Sequence, residues 1–240
     1  MRPKYCTKVI DIAALGNDTR QAIASLYLSY YDGADAAQVL NDLQSKTAVL
    51  LLYHADVLVG FTTFEVYERI WQHRPVRIVF SGDTVVRRDH WGQQALAFAW
   101  IRHIRTLKEK SPRKPVYWFL IVKGHRTYKY LPAFTYDFYP HWEGKKHELK
   151  PLLDMLAAEK FADAYDAKSG VIAFASSRGH LKQSIAYPKA NEKNNPAVRF
   201  FLESNPGFIH GNELACICSF DDENLKPLTK RILYEREKSA

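Results

Sequence analysis

Apolar residues change their period several times along the chain, and those changes divide it into elements. Residues 7–15 alternate well enough for a first strand, and Asn17 or Asp18 is placed to cap a helix running to about Tyr30, with Ile23, Leu26 and Tyr27 on its apolar face. A break at Asp32-Gly33 precedes a second helix over 36–43. Residues 47–53 form a compact β-rich run, His54-Ala55-Asp56 a turn, and 57–67 a second strand of the same hairpin. After 72–75, residues 76–86 make a third long strand, and Gly82 inside it marks a bulge or a close backbone approach.

From Gly92 the period becomes helical: Leu96, Trp100, Ile104 and Leu107 recur on one stripe, with Arg102, Arg105, Lys108 and Glu109 outside it. This helix stops before Ser111-Pro112, and the unbroken apolar run 116–122 reads as a buried strand. The second half is more broken. It predicts a short helix over 126–134 cut by Pro132, a helix over 148–161, a strand at 171–175 and a helix over 196–202. A turn at Asn205-Pro206-Gly207 and a last strand over 213–220 follow, while 189–195 reads as a polar surface loop.

Composition adds limits. The 240 residues are 47% hydrophobic and 25% charged, as in a globular protein with a sizeable core. No stretch approaches the length of apolar sequence needed to span a bilayer and no signal core opens the chain, so a cytoplasmic protein without a membrane partner is expected. Three cysteines make no disulfide framework; Cys216 and Cys218 read as buried strand residues, and no metal site is expected. The net charge of +8 favours anionic partners, but the basic residues are spread along the chain, which argues against a dedicated nucleic-acid binder.

The most suggestive chemistry lies at Arg87-Arg88-Asp89-His90-Trp91-Gly92-Gln93-Gln94-Ala95, where a strand runs directly into the long helix. Helix-terminal N–H groups at the positive end of the dipole bind phosphate well, and two arginines strengthen the field. The alternative is a plain connection with Asp89 as N-cap and solvated arginines.

The chain resembles the GNAT superfamily of acyl-CoA N-acyltransferases. The resemblance rests on the order of elements over about 7–139, on Val86 followed by Gly92 in the pyrophosphate loop, on the position of Gly82, and on Ala133-Phe134 after the buried strand. The loop is degenerate: Trp91, Gln94 and Leu96 stand where the family has Arg or Gln, Gly, and a small residue. The resemblance implies an α/β (α+β) fold with a mixed, mostly antiparallel central sheet, helices on both faces and an inserted helical segment in the C-terminal half. It implies one domain over 1–240, with a core at about 7–140 and an extension at 141–240 whose 141–190 part builds a lid or acceptor pocket.

The implied activity is direct transfer of an acetyl or longer acyl group from acyl-CoA to an amine in a ternary complex. Val85, Val86 and Arg87 would meet the pantetheine arm, the amides of Trp91, Gly92, Gln93, Gln94 and Ala95 would cradle the pyrophosphate, and Arg88 is implied as a further cofactor-binding residue. Asp83 is the implied base, with Glu65 a second choice; Tyr128 or Tyr130 is the implied acid for the thiolate, and His125 an acid, base or phosphate contact. The acceptor amine is not specified, and a homodimer is allowed. Two alternatives stand beside this reading: a non-catalytic binder of CoA or another phosphate ligand, and a nucleic-acid-binding protein.

Overall fold

A computed structural model of the chain describes residues 4–145 and 147–235. The elements are β1 (Tyr5–Asp11), α1 (Asn17–Leu28), β2 (Tyr31–Asp32), α2 (Ala36–Gln44), β3 (Ala48–His54), β4 (Val57–Trp71), β5 (Arg74–Val86), α3 (Ala95–Lys110) and β6 (Val116–Val122). There follow α4 (His125–Tyr128), α5 (Tyr130–Phe134), α6 (Lys150–Phe161), β7 (Tyr165–Asp166), β8 (Val171–Ile172), β9 (His180–Leu181), α7 (Gln183–Ala186), α8 (Pro196–Ser204), β10 (Glu213–Ser219) and α9 (Pro227–Tyr234).

Among the described residues, eight strands form one sheet in the order β1-β3-β4-β5-β6-β10-β8-β7, antiparallel throughout except for the parallel pair β5–β6. Helices cover both faces. The α3 stripe of Leu96, Trp100, Ile104 and Leu107 packs with α8 and α9 on one face, against Phe64, Trp118 and Cys216. On the other face α6 covers Ile78, Phe80 and Phe119, and α1 covers Val49, Leu51 and Phe61. The element order and the mixed sheet are those expected from the GNAT resemblance. Among the described residues, no helix is long and apolar enough to cross a membrane.

Several local expectations need correction. Gly16, not Asn17 or Asp18, occupies the cap of α1. The β4–β5 hairpin turns at Gln72-His73, both at positive φ, so each strand is longer than the hydrophobic pattern shows. The break between α4 and α5 falls at Lys129 rather than at Pro132, which sits in the first turn of α5 where its missing N–H costs nothing. Asp89 caps nothing: its carboxylate pairs with Arg87, and α3 begins only at Ala95. The turn Asn205-Pro206-Gly207 leads into a 3-10 segment, Pro206–His210.

The feature that matters most sits in β5. Thr62 pairs with Thr84 and Phe64 with Ser81, so Gly82 and Asp83 together oppose Thr63. This bulge reverses the facing of every later residue on the strand. Before it, Ile78 and Phe80 face α6; after it, Val85 faces α1, while Thr84 stands with Ser81 beside α3. At the same place the sheet opens: the β5–β6 pairing runs from Arg77 with Val116 only as far as Ser81 with Leu120. Beyond that point β6 stays with β10 through Val122, whereas β5 stays with β4 through Val86.

Candidate active site

A cavity lies on each side of this opening, one of about 490 Å³ and one of about 500 Å³. The first is lined by Thr84, Val85 and Val86 of β5, by Trp91 to Gln94, and by Gly124, Arg126, Thr127 and Lys129 beyond the opposite strand end. The second holds Gly82 and Asp83 together with Asp42, Lys46, Lys123 and Glu213. Between them stand Tyr31, which lines the first, and Tyr27, which lines the second; their rings stack at 4.2 Å and 8°.

The first cavity presents backbone as well as side chains. Arg87 N–H donates to Val59 C=O across the ladder, so by the alternation of an antiparallel pair Thr84 and Val86 aim their peptide groups away from β4, into the gap. The Val86 carbonyl there accepts from the Trp91 indole at 2.8 Å. At the helix start, Gln93 Oε1 accepts from Ala95 N–H at 2.6 Å, while the Leu96 and Ala97 N–H groups have no hydrogen-bond partner among the described residues. Gly92 takes φ +90, a conformation that favours glycine, although a Cβ there would meet nothing within 4 Å. Of the expected cofactor residues, Val85, Val86, Trp91, Gly92, Gln93 and Gln94 line this cavity; Arg87, Arg88 and Ala95 do not. Arg87 is held by Asp89, and Arg88 is exposed, with its backbone N–H on the Tyr30 hydroxyl at 2.7 Å.

The second cavity is a nest of charge. Burial first, and the neighbouring Asp42 carboxylate next, push the Asp83 carboxyl up to about 7, against the pull of Lys123 and Lys46. The Asp42 side chain accepts from Lys46 at 2.9 Å, and against the effect of burial Lys46 keeps it below the ordinary carboxylate range. Lys123 stands 3.5 Å from Glu213, both side chains nearly enclosed. Glu65 belongs to this neighbourhood but is engaged by Lys160, whose ammonium contacts both its oxygens at 2.8 Å. A carboxyl poised near neutrality and two ammonium groups can accept a proton from an amine and compensate the charge that results.

The remaining expected residues divide. Tyr130 lines the first cavity, burial raises its phenol, and its hydroxyl has no hydrogen-bond partner among the described residues. Tyr128 lines neither cavity: it is fully buried, donates to Pro140 C=O at 2.8 Å and stacks on Phe200. His125 is also fully buried and outside both cavities, and burial lowers its pKa to about 4.

The 141–190 insertion contributes to both cavities. Phe174, Ser176 and Arg178 line the second, Leu181 and Ile185 the first, and β9 pairs with β2 across the opening. The Asn205-Pro206-Gly207 turn lines neither cavity. Sequence reading missed Asp42, Lys123, Glu213 and the Tyr27–Tyr31 stack. A lone lysine ending an apolar strand and a glutamate opening another were the available signals.

No family model and no curated protein matches the chain. It is similar to several solved structures. A GNAT family N-acetyltransferase from Escherichia coli in complex with CoA shares 14% identity over 56% of this chain and 70% of its own, with a TM-score of 0.40. An acyl-CoA N-acyltransferase from Pseudomonas aeruginosa shares 18% over 55% and 88%, with a TM-score of 0.40. A ribosomal-protein-alanine N-acetyltransferase from Brucella melitensis biovar Abortus 2308 shares 20% over 49% and 79%, with a TM-score of 0.37.

Proposed function

We propose that the chain is a single-domain GNAT-type N-acyltransferase that moves an acyl group directly from acyl-CoA to an amine. The observation that carries this reading is the opening between β5 and β6 at the Gly82-Asp83 bulge, with a cavity on each side. Two separate approaches to one gap suit a reaction in which two substrates must meet.

In this reading acyl-CoA supplies an activated thioester, its pantetheine arm running along Val85 and Val86 with the phosphates toward Trp91 to Gln94. The groups present fit such a ligand in part. The Leu96 and Ala97 N–H groups and the Thr84 and Val86 peptide groups face it, while the Val86 carbonyl and Ala95 N–H are held by Trp91 and Gln93. The amine enters from the side of Asp83.

Asp83, relieved of its proton near pH 7, takes the proton of the amine as nitrogen attacks the thioester carbonyl and the C–N bond forms. Asp42 sets its basicity, and Lys46 and Lys123 compensate the charge that develops. As the C–S bond breaks, the Tyr130 hydroxyl gives its proton to the departing sulfur; solvent then restores the tyrosine and takes the proton held by Asp83. Tyr128 and His125 take no chemical part. Acetyl-CoA and longer acyl-CoAs should raise the melting temperature; failure of every acyl-CoA and of CoA to do so would end the cofactor assignment. The internal bonds of Val86 and Ala95 favour a second reading, ligand binding without turnover, which tight binding with no transfer across an amine panel would establish.

A further inference from the structure

The mouth of the first cavity carries a charge arrangement that the catalytic reading does not use. Arg126 and Lys129 project into it from the β6 side, and Arg126 lies 4.6 Å from the centre of the Trp91 ring, against the loop that opens α3. Both cations are met by one carboxylate. Glu192, on the 3-10 segment Ala190–Glu192, accepts from Lys129 Nζ at 2.9 Å and stands 3.8 Å from Arg126 Nη2. It also accepts from the Lys189 N–H at 3.1 Å. Burial works against its charge, yet the Lys129 and Lys189 hydrogen bonds prevail and hold the carboxyl down at about 2, so it stays ionised.

Behind it lies His125, fully enclosed, with neither ring nitrogen hydrogen-bonded among the described residues and Nε2 3.7 Å from the Glu192 carboxylate. A buried imidazole left without partners beside a carboxylate marks a polar position whose hydrogen bonding is incomplete in this state. The guanidinium and the ammonium, both lining the cavity beside the loop that opens α3, form a pair suited to a phosphate group. A carboxylate fills only part of it.

From this arrangement we infer that Arg126 and Lys129 form a phosphate subsite of the cleft and that Glu192 occupies it as a built-in carboxylate competitor. The inference rests on the acyl-CoA reading for the identity of the ligand. The ligand class is a phosphorylated cofactor; its phosphate displaces Glu192 from Arg126 and Lys129, and binding thereby moves the 189–195 loop away from the mouth. Intrinsic affinity is set by the difference between phosphate and carboxylate at the same cations, so Glu192 weakens binding rather than assisting it.

The test is calorimetric titration of the full chain and of Glu192→Gln, Arg126→Gln and Lys129→Gln with CoA, pantetheine and inorganic pyrophosphate. The Glu192→Gln side chain retains a carbonyl oxygen for the Lys189 N–H, and melting temperatures verify that each variant is folded. The expected result is a gain of about three- to tenfold in CoA and pyrophosphate affinity for Glu192→Gln, a loss of similar size for Arg126→Gln and Lys129→Gln, and no change for pantetheine. Unchanged or weakened CoA binding by Glu192→Gln, with the wild type binding CoA, would overturn the inference alone. A wild type that binds no CoA would overturn the acyl-CoA reading together with it.

Discussion

Lys123 and Glu213 hold their charges 3.5 Å apart, one just beyond the end of β6 and the other at the start of β10, with 10% and 7% of their side chains exposed. The pair anchors an ammonium beside Asp83, where it opposes the effect of burial on that carboxyl. Lys123→Met should therefore raise the Asp83 pKa above about 7 and shift the pH–rate profile in the alkaline direction. It should also leave the Glu213 carboxylate uncompensated, at a cost of about 3–5 kcal/mol by denaturant unfolding. Combined with Glu213→Gln, the stability should largely return while a smaller alkaline shift remains, because Glu213 raises the Asp83 carboxyl less than Lys123 lowers it, which separates the electrostatic role from the structural one.

Tyr130 and Tyr128 lie two residues apart and should behave differently. Tyr128→Phe removes one buried hydrogen bond, to Pro140, and should cost about 1 kcal/mol of stability with turnover unchanged. Tyr130→Phe should leave stability within about 0.5 kcal/mol and lower kcat by roughly 10²-fold or more. Steady-state kinetics beside thermal melts distinguish the two.

Gly92 supplies a left-handed residue between the strand and α3. Gly92→Ala meets no clash, so its effect comes from backbone strain, about 1 kcal/mol of stability, and from displacement of the amides that follow. A loss of CoA affinity larger than the loss of stability is expected, measured by titration at a temperature where the variant remains folded.

Two histidines, His125 fully buried and His103 half-buried, contribute to the loss of stability in acid. Burial lowers His103 and His125 to about 4, below the ordinary value of 6.5. At these two sites the unfolded chain binds more protons than the folded one below pH 6.5, so their contribution to stability is complete above that pH and declines as pH falls toward 4, while Asp83, raised to about 7, acts in the opposite direction. Replacing His125 by Gln should remove roughly 1 kcal/mol or more of this decline, read from urea midpoints at pH 7 and 5.

Much of the sheet was legible because its strands obey simple patterns. The run 116–122 coincides with β6, the α3 stripe is buried as its spacing requires, and Gly82 does sit in a bulge. The C-terminal half was less readable because β7, β8 and β9 are two residues each, too short to show a period, and are held by tertiary pairing. The loop motif invited attention to Arg87 and Arg88, but charge in a sequence does not reveal direction: one pairs with Asp89 and the other lies outside the cavity. Asp42 and Lys46 were hidden in and just after an amphipathic helix, and only the bulge that turns Asp83 toward α2 brings the three together.

The central claim is that Asp83 serves as the base for an amine at the opening between β5 and β6. Its most direct test is kcat/KM for acetyl transfer from acetyl-CoA to a responsive primary amine, followed from pH 5 to 9 in wild type and Asp83→Asn. The wild-type rate should rise with an apparent pKa of about 7, and the variant should show a roughly 10²- to 10⁴-fold loss without that ionisation, acetyl-CoA affinity being retained. An Asp83→Asn enzyme with the rate and profile of the wild type would contradict it.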